Sequence, residues 1–167
     1  MNAQKGKTKD TLTDFFFRIF RGKVVIVGIG NILKGDDAFG PALIEALGEC
    51  PGCVLIDAGT SPENYAGKIV KENPDTVLLA DAAHLDLDPG SYEILRKDDI
   101  ARSGFTTHDQ SPDMFINYLQ GETSADVYML AVQPGSVSFG EDMSASVKGA
   151  IDEITGIIKS LISNAEV

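Results

Sequence analysis

Three side chains that can bind a metal cation, Asp37, Asp81 and His108, are spread along this 167-residue chain. Asp37 lies in a Gly-rich segment after an apolar run, Asp81 closes another apolar run, and His108 lies in a polar segment. Two carboxylates and one imidazole suit nickel, zinc or a similar ion and leave coordination positions open for water or substrate. We therefore predict that these three side chains converge on one ion.

Alternating strands and helices are predicted to position these residues. Apolar, β-branched runs predict buried strands, an alternating segment predicts an edge strand, and apolar residues at helical spacing predict helices. The strands are residues 23–29, 53–56, 76–80, 91–95 and 127–132, and the helices are residues 37–47, 62–71, 111–119 and 144–162. This order predicts an α/β fold, a three-layer α/β/α sandwich around a mostly parallel twisted sheet of about five strands. Ligands of such sheets bind at the carboxyl ends of the strands, where the three candidates are expected.

Each candidate also has a purely structural explanation. Asp36 and Asp37 can cap the helix that follows them, and Asp36 is expected to have that role. Asp81 can be a solvated strand end, and a lone loop histidine such as His108 is usually exposed. His84, three residues after Asp81, is the competing imidazole.

The first Gly-rich segment also invites a nucleotide-binding interpretation. Two glycines follow the first strand, and Asp57 closes the next strand as a ribose-binding acid would. However, Leu33 replaces the third glycine of the dinucleotide fingerprint. Asp36 and Asp37 stand where a pyrophosphate would meet the helix N-terminus, and their charges would repel it. The sequence therefore favours a cation over a nucleotide.

Other hydrolytic motifs are absent, and the cysteines are badly placed for catalysis. The chain contains neither G-x-S-x-G nor H-E-x-x-H. Cys50 and Cys53 form a C-x-x-C pair between a helix and the strand that follows it. A reactive pair normally lies at a helix N-terminus, where the dipole stabilises a thiolate. We expect a structural or incidental pair, with a disulfide and a redox role as the alternatives.

Composition narrows the functional classes further. The formal net charge of −11 argues against general binding to nucleic acid, whose phosphates would be repelled. No apolar run is long enough to span a membrane, and no signal peptide is recognisable, so we expect a cytoplasmic protein. Residues 1–22 are expected to be an extension with a short amphipathic helix over residues 11–20. Residues 23–167 are expected to form one domain that folds without the extension.

Several segments resemble the hydrogenase maturation proteases. GIGNILKGDDAFG is similar to their N-terminal signature, LLADAAHLDLDPG to their second motif and TTHDQSP to their third. DAGTSPEN and AVQPGSVSFG are most similar to the branch that processes the formate-hydrogenlyase type of large subunit. The segments occur in family order, and the resemblance extends from about Val24 to the C-terminus.

This resemblance implies a nickel-dependent endopeptidase of the aspartyl type. Such an enzyme removes a C-terminal peptide from the nickel-loaded precursor of a [NiFe]-hydrogenase large subunit. The family pattern implies that Asp37, Asp81 and His108 are both metal-contacting and catalytic. It also implies that the nickel belongs to the substrate, although other divalent metals can occupy the site in vitro.

The remaining expectations concern the cleft, the partner and the alternatives. Asp36, Asp57, Gly59 and Thr60 are expected to support the substrate cleft. The large-subunit precursor is the expected partner, and the protein is expected to act as a monomer. The alternatives are a non-catalytic metal-binding or chaperone module on the same fold and, less favoured, a nucleotide-binding domain.

Overall fold

The computed structural model describes residues 9–102 and 112–165. The helices of this part of the chain are α1 (Lys9–Ile19), α2 (Phe39–Leu47), α3 (Ala66–Lys71), α4 (Lys97–Arg102), α5 (Pro112–Glu122) and α6 (Ala145–Ala165). The strands are β1 (Val24–Ile29), β2 (Cys53–Gly59), β3 (Thr76–Ala82), β4 (Tyr92–Arg96) and β5 (Asp126–Val132). None of the described helices is long and apolar enough to cross a membrane.

The five strands form one sheet in the order β2-β1-β3-β5-β4. Four strands run parallel, and the edge strand β4 pairs antiparallel with β5. β1, β3 and β5 are apolar at nearly every position because both faces of the sheet are covered. The expected mostly parallel sheet, including its edge strand, is confirmed.

Side-chain alternation along the strands divides the core into two halves. Leu78 and Ala80 of β3 pack in the half that contains buried residues of α1, α2 and α6. Val77 and Leu79 pack in the half that contains buried residues of α3, α4 and α5. Helices therefore cover both faces of the sheet, which confirms the three-layer sandwich.

Two glycines bring α2 directly against the sheet. A Cβ added to Gly28 of β1 would overlap the backbone of Gly40, and a Cβ on Gly40 would overlap the backbones of Ile29 and Ala80. The first glycine of the apparent nucleotide fingerprint thus serves helix–sheet packing. This close approach fixes where the turn between β1 and α2 leaves the sheet.

Helix α1 is amphipathic, as predicted, and its apolar face is buried. Leu12, Phe16 and Ile19 lie in the same half of the core as α2 and α6. The Thr76 hydroxyl donates to the Ile19 carbonyl oxygen at 2.9 Å, which ties the end of α1 to the start of β3. The division between extension and domain remains a prediction, but this burial indicates that the extension contributes to stability.

Three local features differ from the sequence predictions. Helix α4 was not predicted, since Ile100 is the single buried apolar residue among the side chains of this helix whose burial is described. β2 and β3 continue beyond the expected ends, so Asp57 and Asp81 lie within strands. The helix predicted from residue 37 begins as a 3-10 turn, Gly35–Ala38, followed by α2.

Candidate active site

Asp81 is a buried carboxylate near the carboxyl end of a central strand. It is the sixth residue of β3, and only 5% of its surface is exposed. Its position in the strand alternation is that of Val77 and Leu79, so it faces the α3 and α5 side of the sheet. Its Oδ1 atom is buried without a hydrogen-bond partner. Such an atom indicates a functional site, because burying an unsatisfied carboxylate oxygen costs free energy.

Asp37 is held at the same edge of the sheet by the 3-10 turn after β1. It is 7% exposed, and its Oδ2 accepts a hydrogen bond of 2.9 Å from the backbone N–H of Asn31. Gly30, with φ of +147°, lets the chain pass close to Asp37, since a Cβ there would overlap the Asp37 backbone oxygen. The glycine and the asparagine therefore position one carboxylate.

Asp37 and Asp81 interact electrostatically across the edge of the sheet. Burial raises the pKa of Asp81 well above its ordinary value, and the charge of Asp37 raises that pKa further. A hydrogen bond from the Ala82 backbone opposes this shift without cancelling it. Two interacting buried carboxylates, one of which has an unsatisfied oxygen, form a pair that a cation or a proton would stabilise.

The third predicted ligand, His108, lies outside the described residues. The convergence of all three side chains therefore stays a prediction. Of the three, Asp37 and Asp81 lie close enough for the charge of Asp37 to raise the pKa of Asp81. Within residues 9–102 and 112–165, no group of three or more His, Cys, Asp and Glu side chains could hold a metal ion. The pair needs a further donor, and the carboxylate chemistry present fits a divalent cation.

A cleft of about 630 Å³ opens over Asp81 on the α3 and α5 side of the sheet. Its walls combine apolar side chains with the carboxylate. The described lining residues are Ile29, Thr60, Pro62, Glu63, Ala66, Gly67, Leu79, Asp81, Pro112, Met114, Phe115, Tyr118 and Met129. Met114 and Tyr118 are largely exposed, so the rim is available to a partner. A groove of this size and polarity suits an extended peptide.

Asp36 has a role that the sequence did not reveal. No side chain caps either the 3-10 turn or α2, so the expectation that Asp36 caps the helix is wrong. Its carboxylate instead accepts hydrogen bonds from Gly135 N at 2.7 Å, Ser144 N at 2.7 Å and Ser144 Oγ at 2.9 Å. Asp36 thus joins the turn after β1 to the loop between β5 and α6.

The other expected cleft residues are only partly brought to the site. Thr60 lines the cleft, whereas Asp57 and Gly59 are not among its described lining residues. The Asp57 side chain is exposed and accepts a hydrogen bond of 3.1 Å from Gly59 N. The Gly59 carbonyl accepts from Gly30 N at 2.8 Å, which supports the turn that carries Asp37. Whether these residues assist catalysis remains a prediction.

Gln133 is a second positioning residue that the sequence analysis missed. It is buried just after β5, and its Oε1 accepts a hydrogen bond of 2.6 Å from Leu85 N. Its Nε2 donates to the Pro134 carbonyl at 3.1 Å. These contacts fix the segment that follows Asp81 and contains the exposed His84.

The cysteines lie at the opposite end of the strands from the candidate active site. Cys50 follows α2, and Cys53 is the first residue of β2. Both are free, and the turn between them, with Gly52 at φ of +80°, is closed by Cys53 N donating to the Cys50 carbonyl. A thiol–thiol hydrogen bond lowers the pKa of Cys50 and, with burial, raises that of Cys53. This placement separates the pair from the candidate active site, and its structural or incidental role stays a prediction.

Comparison with known proteins identifies the family. The family model described as HycI, hydrogenase maturation protease, matches residues 42–161. The Escherichia coli hydrogenase 3 maturation protease is 35% identical over 133 residues, which cover 78% of this chain and 85% of that protein. This chain belongs to the hydrogenase maturation protease family. The family named from the sequence motifs is thereby confirmed.

Solved structures of HycI proteases share the fold. The [NiFe] hydrogenase maturation protease HycI from Thermococcus kodakarensis superposes with a TM-score of 0.82 at 30% identity, covering 91% of this chain and 98% of that one. The solution structure of the endopeptidase HycI from Escherichia coli gives a TM-score of 0.75 at 31% identity, covering 83% and 90%. The chain is therefore a hydrogenase maturation endopeptidase, and its family acts on hydrogenase large-subunit precursors.

Proposed function

We propose that this protease recognises nickel bound to its substrate through Asp37, Asp81 and His108, and then removes a C-terminal peptide from the large-subunit precursor. The single observation that carries the proposal is the buried Asp81 Oδ1 without a partner, beside a second buried carboxylate. The two carboxylates lie at the sheet edge where ligands of such folds bind, and their burial and mutual repulsion cost free energy. A divalent cation brought by the precursor would lower this cost.

The cleft over Asp81 would hold the C-terminal tail of the precursor. The nickel would orient the tail and polarise either the scissile carbonyl or a water molecule. Water then adds to the carbonyl carbon, the C–N bond breaks, and the leaving nitrogen takes a proton. Asp37 and Asp81 are both candidates for the general base, and Thr60, which lines the cleft, would contact the tail.

The test is cleavage of the precursor from the same genome, followed as a mobility shift on a gel. We expect cleavage of the nickel-loaded precursor and none of the nickel-free precursor, even with abundant zinc. His108→Ala should abolish processing, because the two carboxylates alone hold nickel less selectively. The matched control is His84→Ala, which removes an exposed imidazole near Asp81 and should have a much smaller effect.

Two results would overturn the proposal. Cleavage of the nickel-free precursor would mean that the ion, if one is needed, belongs to the enzyme. Full activity of His108→Ala would remove this histidine from the site. A third arm tests the alternative of a non-catalytic chaperone: if the intact protein binds nickel-loaded precursor without shortening it, the peptidase mechanism is wrong.

The cellular setting is part of the same proposal. We place the reaction in the cytoplasm and assign it to a monomer, because the proposed site uses residues of one chain. The acidic surface, with a net charge of −11, suits a protein partner with a basic contact region. Fractionation of cells and sedimentation of the purified protein test these two statements.

A further inference from the structure

Two loops beside the candidate active site expose an unusual amount of apolar surface. One is the segment of residues 31–35 after β1, and the other is the segment of residues 134–141 after β5. They carry Ile32, Leu33, Val137 and Phe139, with 69%, 55%, 39% and 73% of their surfaces exposed. We call these four residues and the loops that bear them the two-loop surface. A contiguous group of exposed apolar residues often marks a site where another molecule binds.

Backbone hydrogen bonds join the two loops into one unit. Gly140 N donates to the Leu33 carbonyl at 2.7 Å, and Gly35 N donates to the Glu141 carbonyl at 3.2 Å. Asp36 N donates to the Ser136 carbonyl at 2.9 Å. Leu33 and Phe139 therefore project from neighbouring backbones, and the apolar side chains belong to one surface.

The buried Asp36 carboxylate makes this unit rigid. It accepts three hydrogen bonds of 2.7–2.9 Å from the loop after β5 and the residue preceding α6. Ser144 also accepts from Val147 N at 3.3 Å, so the same residue connects the unit to α6. A rigid apolar surface loses little conformational entropy when a partner binds. The protein thus holds the backbone that carries these side chains, although it leaves the side chains themselves in solvent.

The two-loop surface is continuous with the candidate active site. Asn31, which precedes Ile32, donates to Asp37 Oδ2, and Asp37 N donates to the Lys34 carbonyl at 3.0 Å. Of the seven large, exposed apolar residues in the described chain, four belong to this surface and two line the cleft. A protein substrate that reaches Asp37 therefore comes close to these loops.

We propose that the two-loop surface is the docking site for the folded body of the large-subunit precursor, separate from the cleft that holds the C-terminal tail. This inference rests on the proposed function for the identity of the partner. The matching surface on the precursor is an apolar patch with a basic rim, because the exposed Glu141 and Asp142 outnumber the exposed Lys34 at the loops and the chain carries a net charge of −11. Phe139 is the main contact, since aromatic residues dominate binding energy at interfaces.

The experiment compares Phe139→Ser with Phe17→Ser in the full-length protein. Phe17 is a matched control because it is 72% exposed and lies in α1, whose last residue contacts the start of β3, the opposite end of that strand from Asp81. Binding of the purified nickel-loaded precursor is titrated by interferometry, and cleavage is followed on a gel. We expect Phe139→Ser to raise Kd and KM by about tenfold or more, with kcat changed less than about twofold. Phe17→Ser should match the unsubstituted protein.

A second variant and a salt series complete the test. Leu33→Ser should also weaken binding, and urea melts should show that both loop variants stay folded, because their side chains are exposed. Raising the salt concentration should slow association if a basic rim faces Glu141 and Asp142. A salt-independent association rate would refute the basic rim.

The outcomes separate docking from peptidase activity. If the unsubstituted protein binds but does not cleave, and Phe139→Ser weakens binding, the docking site stands and the proposed function falls. If it cleaves, and Phe139→Ser behaves as Phe17→Ser does, the docking site falls and the proposed function stands. Failure of the unsubstituted protein to bind the precursor at all would overturn the docking site.

Discussion

Replacing Asp81 by asparagine should stabilise the metal-free protein while abolishing its activity. The Asp81 carboxylate is 5% exposed, its Oδ1 has no partner, and the charge of Asp37 adds repulsion. Asparagine has nearly the same shape and no charge. Most substitutions of buried residues destabilise a protein, so a gain in stability here would be a specific signature of an electrostatic cost built into the fold.

The magnitude follows from the cost of an unsatisfied buried group. Leaving one charged, buried acceptor unpaired costs about 1–3 kcal/mol or more. The asparagine amide brings two donors that also need partners, which offsets part of the gain. We therefore expect Asp81→Asn to raise the free energy of unfolding at neutral pH by about 1–2 kcal/mol.

The pH dependence of this gain has a defined sign. Because burial raises the pKa of Asp81, the folded protein binds a proton at this site more tightly than the unfolded chain does. The destabilisation is absent below the unfolded value of about 3.9 and grows as the pH rises toward the folded value. The advantage of Asp81→Asn should therefore be largest above this window and shrink as the pH falls through it.

Urea unfolding at a series of pH values, with a chelator present, measures the effect. The midpoint should rise in the variant while the slope stays constant, as expected for a change in stability alone. Addition of Ni²⁺ tests the cation directly: saturation at a hundred times Kd would stabilise the unsubstituted protein by about 2.7 kcal/mol, and the variant by less. A variant that is less stable at neutral pH, or whose advantage does not depend on pH, would refute the reasoning.

Two further changes test residues that support the site. Asp36→Asn should lower the free energy of unfolding by about 2–3 kcal/mol in urea melts, because three strong donors lose a charged acceptor; an unchanged melt would mean that the loops do not depend on Asp36. Removal of residues 1–22 should lower stability by about 1.5–3 kcal/mol for each lost apolar side chain, of which Phe16 is fully buried. An unchanged thermal melt of the truncated protein would instead confirm that the extension is dispensable.

The sequence predicted the architecture because the signals for it are local. The short apolar, β-branched runs at β1, β3 and β5 are typical of strands buried on both faces, and the helical spacing between them predicted the layers. Helix α4 was missed because one buried residue, Ile100, gives no periodicity to detect. The burial of Phe16 could not be foreseen either, since an amphipathic pattern does not say what covers its apolar face.

Some residues of the candidate site could likewise be predicted from the sequence, and others could not. Asp37 and Asp81 were found because parallel strands bring their carboxyl ends to one edge. The role of Asp36 could not be found, because its partner Ser144 is 108 residues away and lies in a loop whose path no local pattern determines. Gln133 was missed for the same reason: its contact with Leu85 is made across 48 residues.

Three buried aspartates at one edge of the sheet therefore have two different roles. Asp36 supports the loops, whereas Asp37 and Asp81 form the candidate active site. Asp36 has a full set of donors, whereas Asp81 has an oxygen with none and faces the charge of Asp37. Asp36 and Asp37 are consecutive, so the residue that fixes the two-loop surface is covalently joined to one proposed nickel ligand. If the precursor docks on that surface, its nickel and its tail approach carboxylates whose positions are already set. Asp36→Asn should then weaken precursor binding and also lower kcat, whereas Phe139→Ser should raise Kd and KM with kcat nearly unchanged.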